Sequence, residues 1–317
     1  MTRVTQWERQ IGRRLRLKDL FVFFTVAECR GIGRAAEQLG ISTPSVSEAM
    51  ADLERLLGVR LFDRNTKGVT LTPYGDVLLQ RGRAALDELR GAVQQIEALT
   101  DPEVGEVRVG CSDSLAPFLA LIIEKMAQRH PRVRFGVQQV RWPSTEFPEL
   151  HDRKVDLVLS RNALSNSGEQ NFDELRVDPL IDDPFSIVVG RNSRWGRKRN
   201  VTLADLVDAR WILTPLDVLA GRLVSEAFEE QGLQVPKPYV ATSSIFLRSY
   251  FASTDDFVAV LPRSVLQKTA ELYDLKALPI RLSAVPSSVA IVTLRNRTLP
   301  PAVDLFIRCA REVSGSL

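Results

Sequence analysis

Cysteine is scarce. Cys29, Cys111 and Cys309 are the three in 317 residues. Their number is odd, their spacing wide, and no Cys-x-x-Cys pair exists, so neither a disulfide framework nor a zinc knuckle is supported. Histidine is scarcer still: His130 and His151 show no metal-ligand spacing, which argues against a histidine triad or metal site. No cofactor or metal is expected. No apolar run reaches 18 residues, so a membrane-spanning helix is excluded and no membrane partner is expected. Arg13, Arg14, Arg16 and Lys18 precede the apolar run Leu20 to Ala27, an order like that of a signal peptide. That run is short, contains Thr25 and leads into Glu28 and Arg30 without a small-residue cleavage pattern, so a cytoplasmic location is expected.

The rest of the composition is that of a soluble globular protein, 44% hydrophobic and 26% charged, with length for two or three domains. Charge is uneven. Residues 1–68 hold 12 Lys/Arg against 8 Asp/Glu, whereas residues 101–317 hold 27 of each. A mildly basic head on a neutral body is the balance of a nucleic-acid-binding module joined to a second function.

Apolar spacing in the head predicts three helices. Leu17, Leu20, Phe21, Phe24, Val26 and Ala27 recur at roughly 3.6-residue spacing, and Gly31 and Gly33 are expected to end that helix. A short helix over Arg34–Leu39 closes at Gly40. Ser42 or Thr43 can cap a third helix running to about Leu57, with Pro44 in its first turn and Val46, Met50 and Leu53 on its buried stripe. Helix, short helix, tight turn, helix is a helix-turn-helix. The third helix begins with Thr43, Pro44, Ser45, Ser47 and Glu48, candidates to reach bases and phosphates. Residues 59–72 read as two short strands around an Asn/Lys/Gly turn, a wing on which Arg60, Arg64 and Lys67 are candidate phosphate contacts.

The stretch AAEQLGISTPSVSEAMADLERLLGVRLFDRNTKGVTLTPYG resembles the DNA-binding region of LysR-type transcription regulators. The alanine pair, Ser-x-Pro-x-Val-Ser, Leu-Glu-x-x-Leu-Gly-Val-x-Leu-Phe-x-Arg and Leu-Thr-Pro-x-Gly stand in that family's order. Glu48 departs from it, since the family often carries a basic or amide residue there. Either Glu48 accepts from a cytosine amino group, or it tunes register through a neighbouring arginine. Residues 1–16 form an extension in which Trp7, Ile11 and Leu15 repeat at four-residue spacing beside Arg9, Arg13 and Arg16.

A competing motif is Gly31-Ile32-Gly33-Arg34-Ala35-Ala36, which matches a dinucleotide-binding fingerprint and makes an α/β nucleotide-dependent enzyme the alternative function. That fingerprint needs a strand directly before it and an acidic strand end about twenty residues on. Here Ala27–Arg30 intervene, and the acidic pair Asp52 and Glu54 falls in a helical pattern, so no enzyme is expected.

From Pro73 to about Leu99, Leu78, Gly82, Ala85, Leu89, Ala92, Ile96 and Leu99 fall at alternating three- and four-residue steps, a seam for a partner helix. Self-association as a homodimer or homotetramer is therefore expected. Residues 106–317 alternate strands and helices, beginning βαβαβ, which predicts a parallel sheet with helices on both faces. A second set follows, with Val289–Leu294 as a returning strand and Pro301–Val313 as a last helix.

This body resembles the effector domain of the same family, which is similar to type 2 periplasmic binding proteins. The fold class expected is α+β multidomain. A winged helix-turn-helix occupies 1–72, a linker helix 73–100, effector lobe I 106–183 plus 285–317, and lobe II 184–284. The resemblance implies a regulator that binds double-stranded DNA under control of a small molecule held between the lobes. Ligands of open parallel sheets sit beyond the carboxyl ends of strands. The candidates there are Ser112, Asp113, Ser114, Arg141, Trp142, Ser160, Arg161, Thr214, Thr242 and Ser243. The effector's identity and polarity stay open: Asp113 disfavours an acid unless it meets a hydroxyl or amine, whereas Arg141 and Arg161 favour a carboxylate.

Overall fold

The computed structural model describes residues 14–65, 68–101, 104–140, 147–161, 174–216, 218–254, 256–282 and 287–315, with the backbone alone at 64, 65 and 98–100. Trp7, Arg9, Ile11, Arg13, Lys67, Arg141 and Trp142 lie outside these residues, as does the side chain of Arg64. The chain forms two compact units, residues 1–89 and 90–317.

In the first unit, α1 (Leu17–Cys29), α2 (Ile32–Leu39) and α3 (Thr43–Leu57) enclose a core of Leu20, Val22, Phe23, Phe24, Val26, Ala35, Ala36, Val46, Met50 and Leu53. The stripe expected on α1 is out of phase. Leu17 and Phe21 are 56% and 59% exposed, while Phe23 is fully buried. At 100° per residue Phe21 sits nearly opposite Phe23, so one face cannot bury both. The helix stops at Arg30, which adopts a left-handed conformation (φ 49°). Gly33, expected to end α1, lies inside α2, which starts two residues earlier than its pattern suggested. A helix therefore precedes Gly31 and Gly33, not the strand a dinucleotide fingerprint requires. Gly40 closes α2, its amide donating to the carbonyls of Ala36 and Glu37. Ser42 caps α3, its hydroxyl accepting from the Ser45 amide. The wing is an antiparallel pair, β1 (Phe62–Asn65) and β2 (Gly68–Leu71).

Helix α4 (Pro73–Thr100) has 28 residues. Its expected partner seam is divided. Leu78, Leu79 and Leu86 pack on the core of the first unit, and Gly82 faces Phe24 so closely that a Cβ would meet the ring at 2.8 Å. The early seam is thus consumed by the chain's own core. Further along, Leu89, Val93 and Ile96 are 48%, 54% and 63% exposed.

The second unit carries two five-stranded sheets. The first orders β4 (Val133–Gln139), β3 (Gly105–Cys111), β5 (Leu157–Arg161), β12 (Ser288–Leu294) and β6 (Leu175–Asp182). It is mixed rather than parallel: β3, β4 and β5 run together, but β12 pairs antiparallel with both β5 and β6. Helices α5 (Ala116–Arg129) and α11 (Pro301–Ser314) cover one face through Phe118, Ile122, Met126, Val303 and Phe306. Phe147 and Leu150, at the short α6 (Pro148–His151), cover the other.

The second sheet orders β11 (Leu275–Ala277), β7 (Phe185–Gly190), β10 (Phe257–Pro262), β8 (Arg210–Leu213) and β9 (Val240–Ala241). A short α7 (Arg194–Arg197) follows β7. Helix α8 (Leu219–Glu230) packs Val224 and Phe228 on one face beside fully buried Trp211. Helices α9 (Ile245–Ala252) and α10 (Arg263–Thr269) cover the other through Ala252 and Val265. No helix among the described residues is long and apolar enough to cross a membrane.

A buried ion cluster clamps the first sheet. Asp156, with no exposed surface, accepts from Arg108 Nη2 and Arg297 Nη2, each at 2.6 Å, and from the Arg108 amide at 2.8 Å. Burial opposes its charge, but the two guanidinia and the hydrogen bonds outweigh that and hold its carboxyl below the ordinary range.

Candidate functional site

On the first unit the amphipathic pattern of α3 decides what faces out. Val46, Met50 and Leu53 anchor it, which leaves Thr43, Pro44, Ser45 and Glu48 exposed and Ser47 half-buried at the edge of the core face. All five expected contacts thus lie in the first two turns, at the end of the helix where the dipole favours an anion. Ser45, Glu48 and Asp52 share a groove with Arg14, Arg16 and Lys18 from the start of α1. Asp52 is paired with Arg55 at 2.7 Å. Arg60 is exposed ahead of the wing.

Three motif residues have structural roles that their sequence pattern did not disclose. Glu54 Oε1 accepts from the Leu61 amide at 2.7 Å and the Phe62 amide at 3.3 Å, tying α3 to the first wing strand. Thr72 Oγ1 donates to the Arg60 carbonyl at 2.7 Å and accepts from the Gly75 amide at 3.1 Å, capping α4. Gly75 packs against the same segment, since a Cβ there would lie 2.3 Å from the Leu61 carbonyl oxygen. The wing is therefore held to α3 and α4 by the Glu54 and Thr72 side chains and the close approach at Gly75, which reinforce its own two strands, marginal alone.

In the second unit, strand ends from both sheets open on a cleft of about 570 Å³. Ser112, Asp113 and Ser114 line it where β3 ends, Arg161 where β5 ends, Thr214 after β8 and Ser243 before α9. These six of the expected residues come together. Ser160 does not line the cleft; it is buried, its hydroxyl donating to the Arg161 carbonyl at 3.4 Å. Nor does Thr242, whose Oγ1 accepts from the Ser244 amide at 3.1 Å. The pattern did not single out Gln139, Val140, Phe185, Val218 to Ala220, Ser244 or Arg248, all of which line the cleft.

Several lining groups already have partners. The hydroxyls of Ser112 and Ser114 bond each other at 3.0 Å. Thr214 Oγ1 accepts from the Gly221 amide at 3.0 Å, capping α8. Gln139 Nε2 donates to Asp113 at 3.1 Å. Arg161 is 3% exposed; it donates to the Asp183 carbonyl at 2.8 Å, pairs with the Asp183 carboxylate and lies over the Phe185 ring. Asp183 in turn accepts from the amide and hydroxyl of Ser264 at 2.8 and 2.6 Å. Arg161 ends a strand of the first sheet, Asp183 sits on the crossover to the second, and Ser264 belongs to α10. One buried network thus joins both halves at the base of the cleft. Cys111, buried just before the cleft residue Ser112, has its thiol pushed up to about 12 by burial, with the Asp113 charge adding to that.

Residues 17–76 match the family described as bacterial regulatory helix-turn-helix protein, lysR family, and residues 100–315 match the LysR substrate binding domain. The chain is 24% identical over 299 residues to the HTH-type transcriptional regulator TdcA of Escherichia coli, covering 94% of this chain and 93% of that protein. It is 27% identical over 295 residues to the transcriptional dual regulator GltC of Bacillus subtilis, covering 92% and 95%. Among solved structures, full-length OxyR from Pseudomonas aeruginosa superimposes with a TM-score of 0.67 at 21% identity, covering 95% of each chain. CbnR complexed with its target DNA gives 0.65 at 19%, covering 94% of this chain and all of that one. At these identities the likeness shows a shared fold.

Proposed function

The chain belongs to the LysR-type family of DNA-binding transcription regulators, and on that premise we propose how its residues divide the work. Helix α3 enters a groove of double-stranded DNA with Thr43, Pro44, Ser45, Ser47 and Glu48, while Arg60, Arg64 and Lys67 hold phosphates. The observation that carries this is the exposed polar start of α3, fixed from behind by three buried side chains and from the side by Glu54. The cleft of the second unit takes a small effector against Ser112, Asp113, Ser114, Arg161, Thr214 and Ser243. An effector that touches Arg161 bears on the Asp183–Ser264 network, and so biases the relative disposition of the two sheets through differential affinity for two states.

The chain self-associates along the exposed stripe of Leu89, Val93 and Ile96, and exposed Leu17 and Phe21 add apolar area on α1. Its action is binding in the cytoplasm, without catalysis. The Cys111 thiol beside the cleft residue Ser112 is held protonated, and the hydroxyls of Ser112 and Ser114 bond each other, so none of these three is an activated nucleophile.

The test is selection of bound fragments from genomic DNA followed by footprinting. Recovery of one or a few sites with two-fold symmetric protection supports the proposal. Enrichment indifferent to sequence, or none at low salt with folded protein, refutes it.

A further inference from the structure

Arg248 carries a buried charge with no carboxylate at ion-pair distance among the described residues, although the Asp113 charge acts on it from further off. It sits within α9 among Ile245, Phe246, Leu247 and Phe251, is 3% exposed, and lines the cleft. Its Nη1 donates to the Val260 carbonyl at 2.8 Å, and its Nε is buried with no hydrogen-bond partner. The other buried arginines among the described residues each meet a carboxylate, Arg161 at Asp183 and Arg297 at Asp156. An ion withdrawn from water without a close counter-ion is strongly unfavourable, and the carboxylate of a cleft ligand would supply one. Burial and the Arg161 charge, opposed in part by the Asp113 charge, bring the Arg248 guanidinium down to about 10, which still leaves it cationic at neutral pH.

The opposite sign stands in the same cleft. Asp113 is exposed where β3 ends, and its carboxylate accepts from the side-chain amide of Gln139. A plain carboxylic acid would meet Arg248 but be repelled by Asp113; a plain amine would meet the reverse. Resting on the reading of this cleft as the effector site, we propose that it takes a small carboxylic acid carrying an ammonium or hydroxyl group. The acid's carboxylate is held by Arg248 and its donor group by Asp113. Arg161 is already paired with Asp183, so it meets the ligand as part of the Asp183–Ser264 network rather than as its counter-ion.

The experiment is calorimetric titration of the full chain with serine, lactate and malate, with propionate and succinate, with ethanolamine and putrescine, and with glucose as a neutral control. At least one donor-bearing acid binds saturably and more tightly than the plain acids. Arg248→Met weakens it at least about 100-fold, as expected when a buried charge loses its partner, without lowering the melting temperature of the unliganded protein. Arg248→Lys, which keeps charge but not the planar fork, binds between the two. Asp113→Asn reduces the preference for donor-bearing over plain acids about tenfold. Ser243→Trp, which fills the cleft from an exposed position, abolishes binding of any cleft ligand. Binding of neutral or cationic compounds only, lost in Ser243→Trp but intact in Arg248→Met, overturns the proposal and leaves the effector cleft standing. No binding by any compound, or binding indifferent to Ser243→Trp, overturns both. If Arg248→Met does not fold, Arg248→Lys decides, and unchanged affinity there overturns the proposal.

Discussion

Replacing Glu54 by alanine tests whether the wing is held from α3. The wild-type carboxylate accepts two backbone amides, at 2.7 and 3.3 Å. Hydrogen bonds to a charged group contribute about 1.5–3 kcal/mol each. The longer one is weaker and the side chain is half-buried, so the pair stabilises by about 2–4 kcal/mol. Alanine returns only a few tenths of a kcal/mol in helix propensity, which leaves a net loss of about 2–3 kcal/mol. For a unit of this size each kcal/mol shifts the melting temperature by about 4–8 °C, so the first unit should melt about 10–20 °C lower. Hydrogen exchange resolves the cause. Protection of the Leu61 and Phe62 amides should fall by about 30-fold or more, while amides of β3 and β10 in the second unit keep theirs. Glu54→Gln, which retains an acceptor oxygen, should lose about 1 kcal/mol. Unchanged exchange at Leu61 and Phe62 in Glu54→Ala would refute the reasoning.

Gly75→Ala forces a Cβ to within 2.3 Å of the Leu61 carbonyl, and a loss above about 2 kcal/mol on thermal melting is expected. Asp156→Asn removes the carboxylate charge that Arg108 and Arg297 share and should destabilise the second unit by about 3–5 kcal/mol. Because the Asp156 carboxyl is held below its ordinary range, its contribution is fully present above the unfolded carboxyl pKa and is lost as pH falls through the lower folded value. Urea melts should show it unchanged between pH 5 and 7 (roughly) and eroding only in stronger acid. Ile96→Asp, on the exposed stripe of α4, should lower the self-association constant at least about tenfold by sedimentation equilibrium, without loss of helix content. Ser47→Ala should weaken DNA binding about three- to tenfold and leave cleft binding intact, whereas Ser112→Ala should do the reverse; similar behaviour of the two would contradict the division of labour.

Much of the architecture was legible because local rules and packing agree there. The three helices of the first unit, the serine cap of α3 and its buried stripe all follow from spacing and cap chemistry, and tertiary structure reinforces each. Phase along α1 was not legible, because Leu17 to Ala27 is apolar nearly all round and periodicity alone cannot choose its inward face. The seam on α4 divides because Gly82 permits close approach to any helix, and Phe24 of the same chain meets it first. Strand β6 escaped notice because it is an edge strand carrying Pro179 and a register shift opposite Val289 and Ala290, so its alternation is broken. In the cleft, strand-end logic found hydroxyls, but such groups also hold nearby backbone amides, as Thr214 does at Gly221 and Thr242 at Ser244. Arg248 was missed because it sits mid-helix rather than at a strand end; a lone charge in an otherwise apolar helix was its only signal.

Sequence recognition by α3 is read out by titrating the full chain against its selected duplex and a scrambled duplex across about 50 to 200 mM salt. A regulator of this kind should bind the selected site with a dissociation constant on the order of 10⁻⁸ M or tighter at physiological salt, at least about 10³-fold tighter than the scrambled one, with both weakening as salt rises. Equal affinity for the two duplexes at every salt concentration would contradict it.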